Sequence, residues 1–183
     1  MILKKEGDTR IHRLRVIHLY EADYNLLLAV KWRQALHAAE DANTLHDRQY
    51  GSRPRRQAQD PVFIEETMNE IGRASRKDYV KFDNDASSCY DRILPQLAAI
   101  AGRRQGLPSS IVQVNTATLK QARYRLRTAL GVSKQHYTHT DEYPIYGTGQ
   151  GSGNSPIIWC FLSSALFAAH EEKAIGATFA TPD

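Results

Sequence analysis

Residues 79–101 read YVKFDNDASSCYDRILPQLAAIA, and their period changes midway. From 79 to 85 the side chains alternate. Val80 and Phe82 fall on one face of a strand, and Lys81, Asp83 and Asp85 on the other. Ser87 and Ser88 are suited to cap a following helix. That helix has an apolar face of Tyr90, Ile93, Leu94, Leu97, Ile100 and Ala101, and Gly106 and Pro108 end it. A strand passing directly into an amphipathic helix gives this segment both kinds of element. It also puts a carboxylate at the end of a strand, where a rigid sheet fixes oxygen positions for a divalent cation. Asp85 is the candidate ligand for such an ion. On this segment alone, capping the helix that follows is the simpler role for the same residue. Asp83 shares its face, and spacing does not separate the two.

Outward from this segment, residues 10–19 (RIHRLRVIHL) alternate as a strand, with Lys4, Lys5 and Gly7 placed to form the other arm and turn of a hairpin. Tyr20, Tyr24, Leu27 and Leu28 begin a helix expected to reach about Ala39. Residues 41–60 lack a period and carry Gly51, Pro54 and four arginines, so they read as a basic loop; a helix follows over 62–71. Downstream, 110–121 is expected to be helical, 122–131 strand-like and 132–146 irregular. Ser155-Pro156 is a strong helix start. The helix it opens has a predicted buried face of Ile157, Ile158, Phe161, Leu162, Ala165, Leu166 and Ala169, and 175–179 reads as a further strand.

The 183 residues are 42% hydrophobic and 24% charged, enough for one packed body of one or two subdomains and unlike a disordered chain. The net charge is only +4, yet the cations cluster: Arg53, Arg55 and Arg56; Arg73, Arg76 and Lys77; Arg103 and Arg104; Lys120, Arg123, Arg125 and Arg127. Such clusters suit a polyanion, whose neutralisation releases counterions, or form a solvated surface. Cys89 and Cys160 make neither a disulfide framework nor a four-ligand zinc site. The charged N-terminus, MILKKEGDTR, does not suit a signal peptide, and no apolar run approaches the ~20 residues of a membrane span. The expectation is an intracellular protein, nuclear or cytoplasmic, without membrane attachment.

The second informative stretch is Gly147-Thr-Gly-Gln-Gly-Ser-Gly-Asn-Ser-Pro156, with four glycines in seven residues before a helix. Close approach of backbone to a ligand is one reason for such a segment; a flexible loop ahead of a capped helix is the other. It fits no dinucleotide fingerprint, since Ser152 and Asn154 stand where glycine is needed, and it lacks the Gly-Lys of a phosphate-binding loop.

Taken in order, Asp85-x-x-x-Cys89-Tyr90-Asp91 and the later Gln150-Gly151-x-x-x-Ser155-Pro156 resemble the blocks of reverse transcriptases, especially those of retroelements without long terminal repeats and of group II introns. Leu14-Arg15-Val16-Ile17 is similar to the family's Arg-Pro-Ile fingers strand, with Val16 for proline. Gln49-Tyr50-Gly51-Ser52-Arg53-Pro54 is similar to its Gln-x-Gly-Phe-Arg-Pro segment, with Ser52 for phenylalanine. The resemblance implies an α+β fold, a right-hand polymerase with an antiparallel sheet packed on helices: fingers over 1–77, palm over 78–106, a fingers/palm connection over 107–146, and a second, incomplete palm segment over 147–183.

It also implies the site. Asp85, with the Ala86 carbonyl, would hold two Mg²⁺ ions. Tyr90 would crowd a ribose 2′-hydroxyl, although it also lies on the apolar helical face and would serve there as core. Arg15 and Lys5 would meet the triphosphate, and Gln150 and Gly151 would lie beside the nascent base pair. Arg53, with Arg55 and Arg56, would contact template, or Arg53 would structure the fingers loop. The implied partners are an RNA template, a DNA primer and deoxynucleoside triphosphates. The family's aromatic-x-Asp-Asp hairpin has no counterpart, because the chain contains no Asp-Asp pair. The 183 residues alone are therefore expected to be inactive. The alternative is a non-catalytic nucleic-acid-binding remnant of such an enzyme.

Overall fold

The computed structural model describes residues 2–4, 14–76, 78, 80–81, 86–128 and 130–173. Within them the chain is mostly helical, with two small antiparallel sheets of two strands each. β1 (Ile2–Lys4) pairs antiparallel with β2 (Leu14–Val16), Leu3 opposite Arg15, so the two expected N-terminal arms pair over three residues each, while Lys5, Gly7 and residues 10–13 lie outside the described residues. Then come α1 (Ala22–Asp41), α2 (Gln59–Ser75), the single turn α3 (Cys89–Arg92), α4 (Pro95–Arg104) and α5 (Ser109–Gln121). A second hairpin, β3 (Arg127–Thr128) with β4 (Gly131–Val132), precedes α6 (Ser155–Lys173). Most of the strand expected over 79–85, and all of that over 175–179, lie outside the described residues.

The core forms where α1, α4, α5 and α6 meet. In α1, Leu28, Trp32, Ala35, Leu36 and Ala39 recur at helical spacing and are buried. Trp32 packs on Phe161 of α6 with ring centroids 6.1 Å apart. Full burial of side chains such as Leu28, Ile158 and Phe161 stabilises by about 1.5–3 kcal/mol each. Gly102 of α4 lets the helix approach the indole closely, for a Cβ there would stand 2.8 Å from Trp32 Cη2.

Three expectations about the elements need correction. The single helix expected after Ser88 is broken. Ile93 and Leu94 are extended (ψ 125° at both) because Pro95 disfavours helical backbone in the residue before it, and α4 restarts with Pro95 in its first turn. The restart turns the face: Ala98 and Gly102 are buried, whereas Leu97 and Ile100 are 47% and 64% exposed. Ser88 makes no side-chain cap and adopts φ 51°. The face predicted for α6 holds only in its first half; Ala165, Leu166 and Ala169 are exposed, while Ser163 and Ser164 are buried. Finally, 132–146 is not all irregular, since 131–137 is the return arm of a ribbon (Tyr124 and Tyr137 exchange both backbone hydrogen bonds, 2.9 and 3.0 Å).

Helix α2 is longer than expected and stands largely clear of the core. Pro61 is its one buried residue among those described, and Val62, Phe63, Met68 and Ile71 are exposed.

Candidate functional site

The glycine-rich segment is the meeting point of three stretches distant in sequence. The Gly147 amide donates to the Ile93 carbonyl (2.8 Å) and the Thr148 amide to the Tyr90 carbonyl (2.9 Å), fastening the segment to α3. Three residues later the Gln150 carbonyl accepts from the His18 amide (2.7 Å), just past β2. Two glycines make this geometry possible. Gly147 has φ +88°, and a Cβ there would lie 2.6 Å from the Tyr90 carbonyl oxygen. Gly151 has φ +107°, and a Cβ there would lie 2.6 Å from the His18 carbonyl oxygen. Both obstacles are backbone, so neither position accepts a side chain without moving the chain.

Asn25 of α1 clamps the far end, its Oδ1 accepting from the Gly153 amide (2.7 Å) and its Nδ2 donating to the Gly151 carbonyl (3.3 Å). Ser155 Oγ donates to the Gly149 carbonyl (2.9 Å), closing the turn ahead of α6. Two buried atoms in the turn, Thr148 Oγ1 and Asn154 Nδ2, have no hydrogen-bond partner among the described residues.

An aromatic cluster backs the turn. His18 Nδ1 lies 3.1 Å from the Tyr20 hydroxyl, and the His18 ring meets Tyr124 edge-on at 5.3 Å. Tyr124 stacks on Tyr137 at 5.1 Å, and Tyr20 lies 5.8 Å from Tyr24. Burial pushes the hydroxyl pKa values of Tyr20, Tyr24, Tyr124 and Tyr137 upward, so these phenols stay neutral. Burial lowers the pKa of His18, against the opposing pull of Asp91. Asp91 is raised by its own desolvation, with His18 working in the other direction. The phenols behind the turn are thus neutral hydrogen-bonding groups, and the turn itself is framed by backbone.

The predicted site residues divide. Gln150, Gly151 and Tyr90 are brought together around this turn. Tyr90 is half-buried and packs partly against the core, in keeping with its place on the apolar face. Arg15 stands in β2, three residues before His18. Ala86 is exposed. Lys5, Asp83 and Asp85 lie outside the described residues.

Arg53 is corrected as a template contact. Its side chain is 3% exposed and bidentate to Glu40 (Nε–Oε1 and Nη2–Oε2, both 2.7 Å), and its Nη1 donates to the carbonyls of His46 (2.8 Å) and Gln49 (3.3 Å). The other expectation for it, that it structures the loop, is what its geometry shows. Nearby, Gln49 is buried between the Gly51 carbonyl and Ser163 Oγ, and Ser164 Oγ accepts from the His46 amide. Arg55 and Arg56 are exposed, Arg56 lying 5.3 Å over the Tyr50 ring.

Sequence reasoning missed His18 and Asn25, and took Tyr20 as the start of a helix face. No local signal marks them, because their contacts with the turn span up to 128 residues. Among the described residues no three His, Cys, Asp or Glu side chains gather to hold a metal ion. No described helix is long and apolar enough to cross a membrane. No family model, curated protein or solved structure matches the chain.

Proposed function

We propose that the chain is the fingers and part of the palm of a reverse transcriptase, an RNA-directed DNA polymerase of a retroelement. One observation supports this best. The residue just past the fingers-like strand, the Tyr90 segment and the glycine-rich turn, which resemble the family in residues and in order, are joined at one place by the His18–Gln150, Tyr90–Thr148 and Ile93–Gly147 hydrogen bonds.

In this reading the turn at 149–151 forms one wall of the pocket for the templating base and the incoming nucleotide. It is held rigid from behind by His18 and Asn25, so the wall is set before a nucleotide arrives. The part-exposed Tyr90, fastened to the same turn through its carbonyl, would crowd the sugar and disfavour a 2′-hydroxyl. Arg15 would reach the triphosphate from the fingers. Asp85 would supply carboxylate oxygens for Mg²⁺. In the complete enzyme Mg²⁺ would neutralise charge during nucleotidyl transfer.

The test is primer extension on an RNA template, by the protein that carries this chain together with an aromatic-x-Asp-Asp segment. Extension with deoxynucleotides, lost on Asp85→Asn, is the expected result. No extension on RNA or DNA templates would refute the proposal. The 183 residues alone are expected to give none.

A further inference from the structure

The ribbon over 123–137 carries charge that nothing in the rest of the fold uses. Its inner face is anchored, with Tyr124 half-buried, stacked on Tyr137 and edge-on to His18. Alternation along the first arm then turns Arg123, Arg125 and Arg127 away from that anchor, and all three are exposed. Among the described residues none of their side chains makes an ion pair or hydrogen bond; the arginine pairs that do form, from Arg48, Arg53 and Arg73, lie elsewhere.

The return arm adds to the charge. Between the Tyr124–Tyr137 pair and the Ser133–Leu126 hydrogen bond (2.8 Å), the first arm has the single residue Arg125, whereas the return arm has Lys134, Gln135 and His136. This bulge is held by Ser133, whose Oγ accepts from the Leu126 amide (3.0 Å) and donates to the Gln135 carbonyl (2.7 Å). It leaves Lys134 and His136 exposed across from Arg125.

We infer that this ribbon is a docking edge for the phosphates of a nucleic-acid strand, gripped by Arg123, Arg125 and Arg127. Guanidinium groups pair with phosphate through two parallel hydrogen bonds, and each neutralised phosphate releases counterions. The ribbon leads to the proposed pocket, because Tyr124 contacts His18 and the His18 amide is bonded to Gln150. A strand lying along the arginines would be directed to the glycine-rich turn. The inference deepens the polymerase reading and rests on its choice of ligand.

The test measures fluorescence anisotropy of a labelled single-stranded RNA with the whole 183-residue chain across a salt series. The ribbon variant Arg123→Gln/Arg125→Gln/Arg127→Gln is compared with a charge-matched control, Arg33→Gln/Arg104→Gln/Lys173→Gln. All six positions are exposed, and circular dichroism checks that both variants fold. The ribbon variant should bind at least ~10-fold more weakly at low salt, and its slope of log K against log salt should fall by about 2, as expected when some three phosphate contacts are lost. The control should change less than ~3-fold, since it removes the same charge but none of those contacts. Equal weakening in both variants, or displacement of RNA by poly-glutamate at matched charge, would overturn the inference. Wild-type binding that the ribbon variant retains would overturn it while leaving the polymerase reading standing. Failure of the wild-type chain to bind RNA or DNA would overturn both.

Discussion

Two arginine-rich stretches, 53–56 and 123–127, look alike in sequence, yet Arg53 of the first is used in the opposite way to the three arginines of the second. Arg53 is turned inward, its guanidinium held by both oxygens of Glu40 and by two carbonyls. Arg123, Arg125 and Arg127 project from a ribbon and meet no carboxylate among the described residues. The difference lies in what the fold brings near each stretch. The loop after α1 folds back so that Glu40, thirteen residues away, faces Arg53, whereas the ribbon turns its anchored face toward His18 and leaves the other outside. A run of arginines therefore says little about function until its partners are known.

The largest effect should come from breaking the inward pair. Glu40→Ala strands a buried guanidinium and is expected to cost about 2–4 kcal/mol, toward the low side of the range for buried pairs because two carbonyl partners remain and Glu40 is 21% exposed. Urea denaturation measures it; a loss below ~0.5 kcal/mol, the level of an ordinary surface change, would show that the pair is mere surface decoration. Arg53→Lys keeps the charge but loses the planar fork, and about 1–3 kcal/mol should disappear in the same measurement.

The pair also has a pH signature. Its hydrogen bond to Arg53, with the neighbouring positive charge, holds Glu40 below its ordinary value of 4.5. A lowered folded-state pKa contributes stability that is complete above that ordinary value and is lost as pH falls through the folded value. Glu40→Gln should therefore flatten the part of the stability–pH curve below 4.5. A curve parallel to wild type there would contradict the assignment. The smallest effect should be on the ribbon: Arg123→Gln, Arg125→Gln and Arg127→Gln should each change stability by less than ~0.5 kcal/mol, whatever they do to RNA affinity. A larger loss would mean that these side chains have partners in the fold after all.

Much of the helical framework was legible because it rests on local signals. The helical spacing of Tyr20, Tyr24, Leu27 and Leu28 marks α1, although Tyr20 precedes the helix and Leu27 is exposed, and Ser155-Pro156 marks the start of α6. What was not legible depends on long-range packing. The break at Pro95, where α3 ends in the extended Ile93 and Leu94 and α4 restarts with the proline in its first turn, is not visible in the apolar spacing of 90–101. The middle of α6 buries Ser163 and Ser164 because the loop at 46–49 supplies polar partners for them, which apolar periodicity does not reveal. The glycine-rich turn stood out in sequence; the reason two of its glycines are required, the carbonyls of Tyr90 and His18, did not.

The polymerase reading depends on Tyr90 meeting the sugar of a nucleotide seated against the glycine-rich turn. The most direct measurement is the ratio of kcat/KM for deoxynucleotides to that for ribonucleotides, for wild type and Tyr90→Ala, in the protein that carries the aromatic-x-Asp-Asp segment. A drop of at least ~10-fold in that ratio, about 1.4 kcal/mol of lost discrimination, with deoxynucleotide incorporation retained, is the predicted result. An unchanged ratio would leave Tyr90 as a core residue and contradict the placement of the nucleotide.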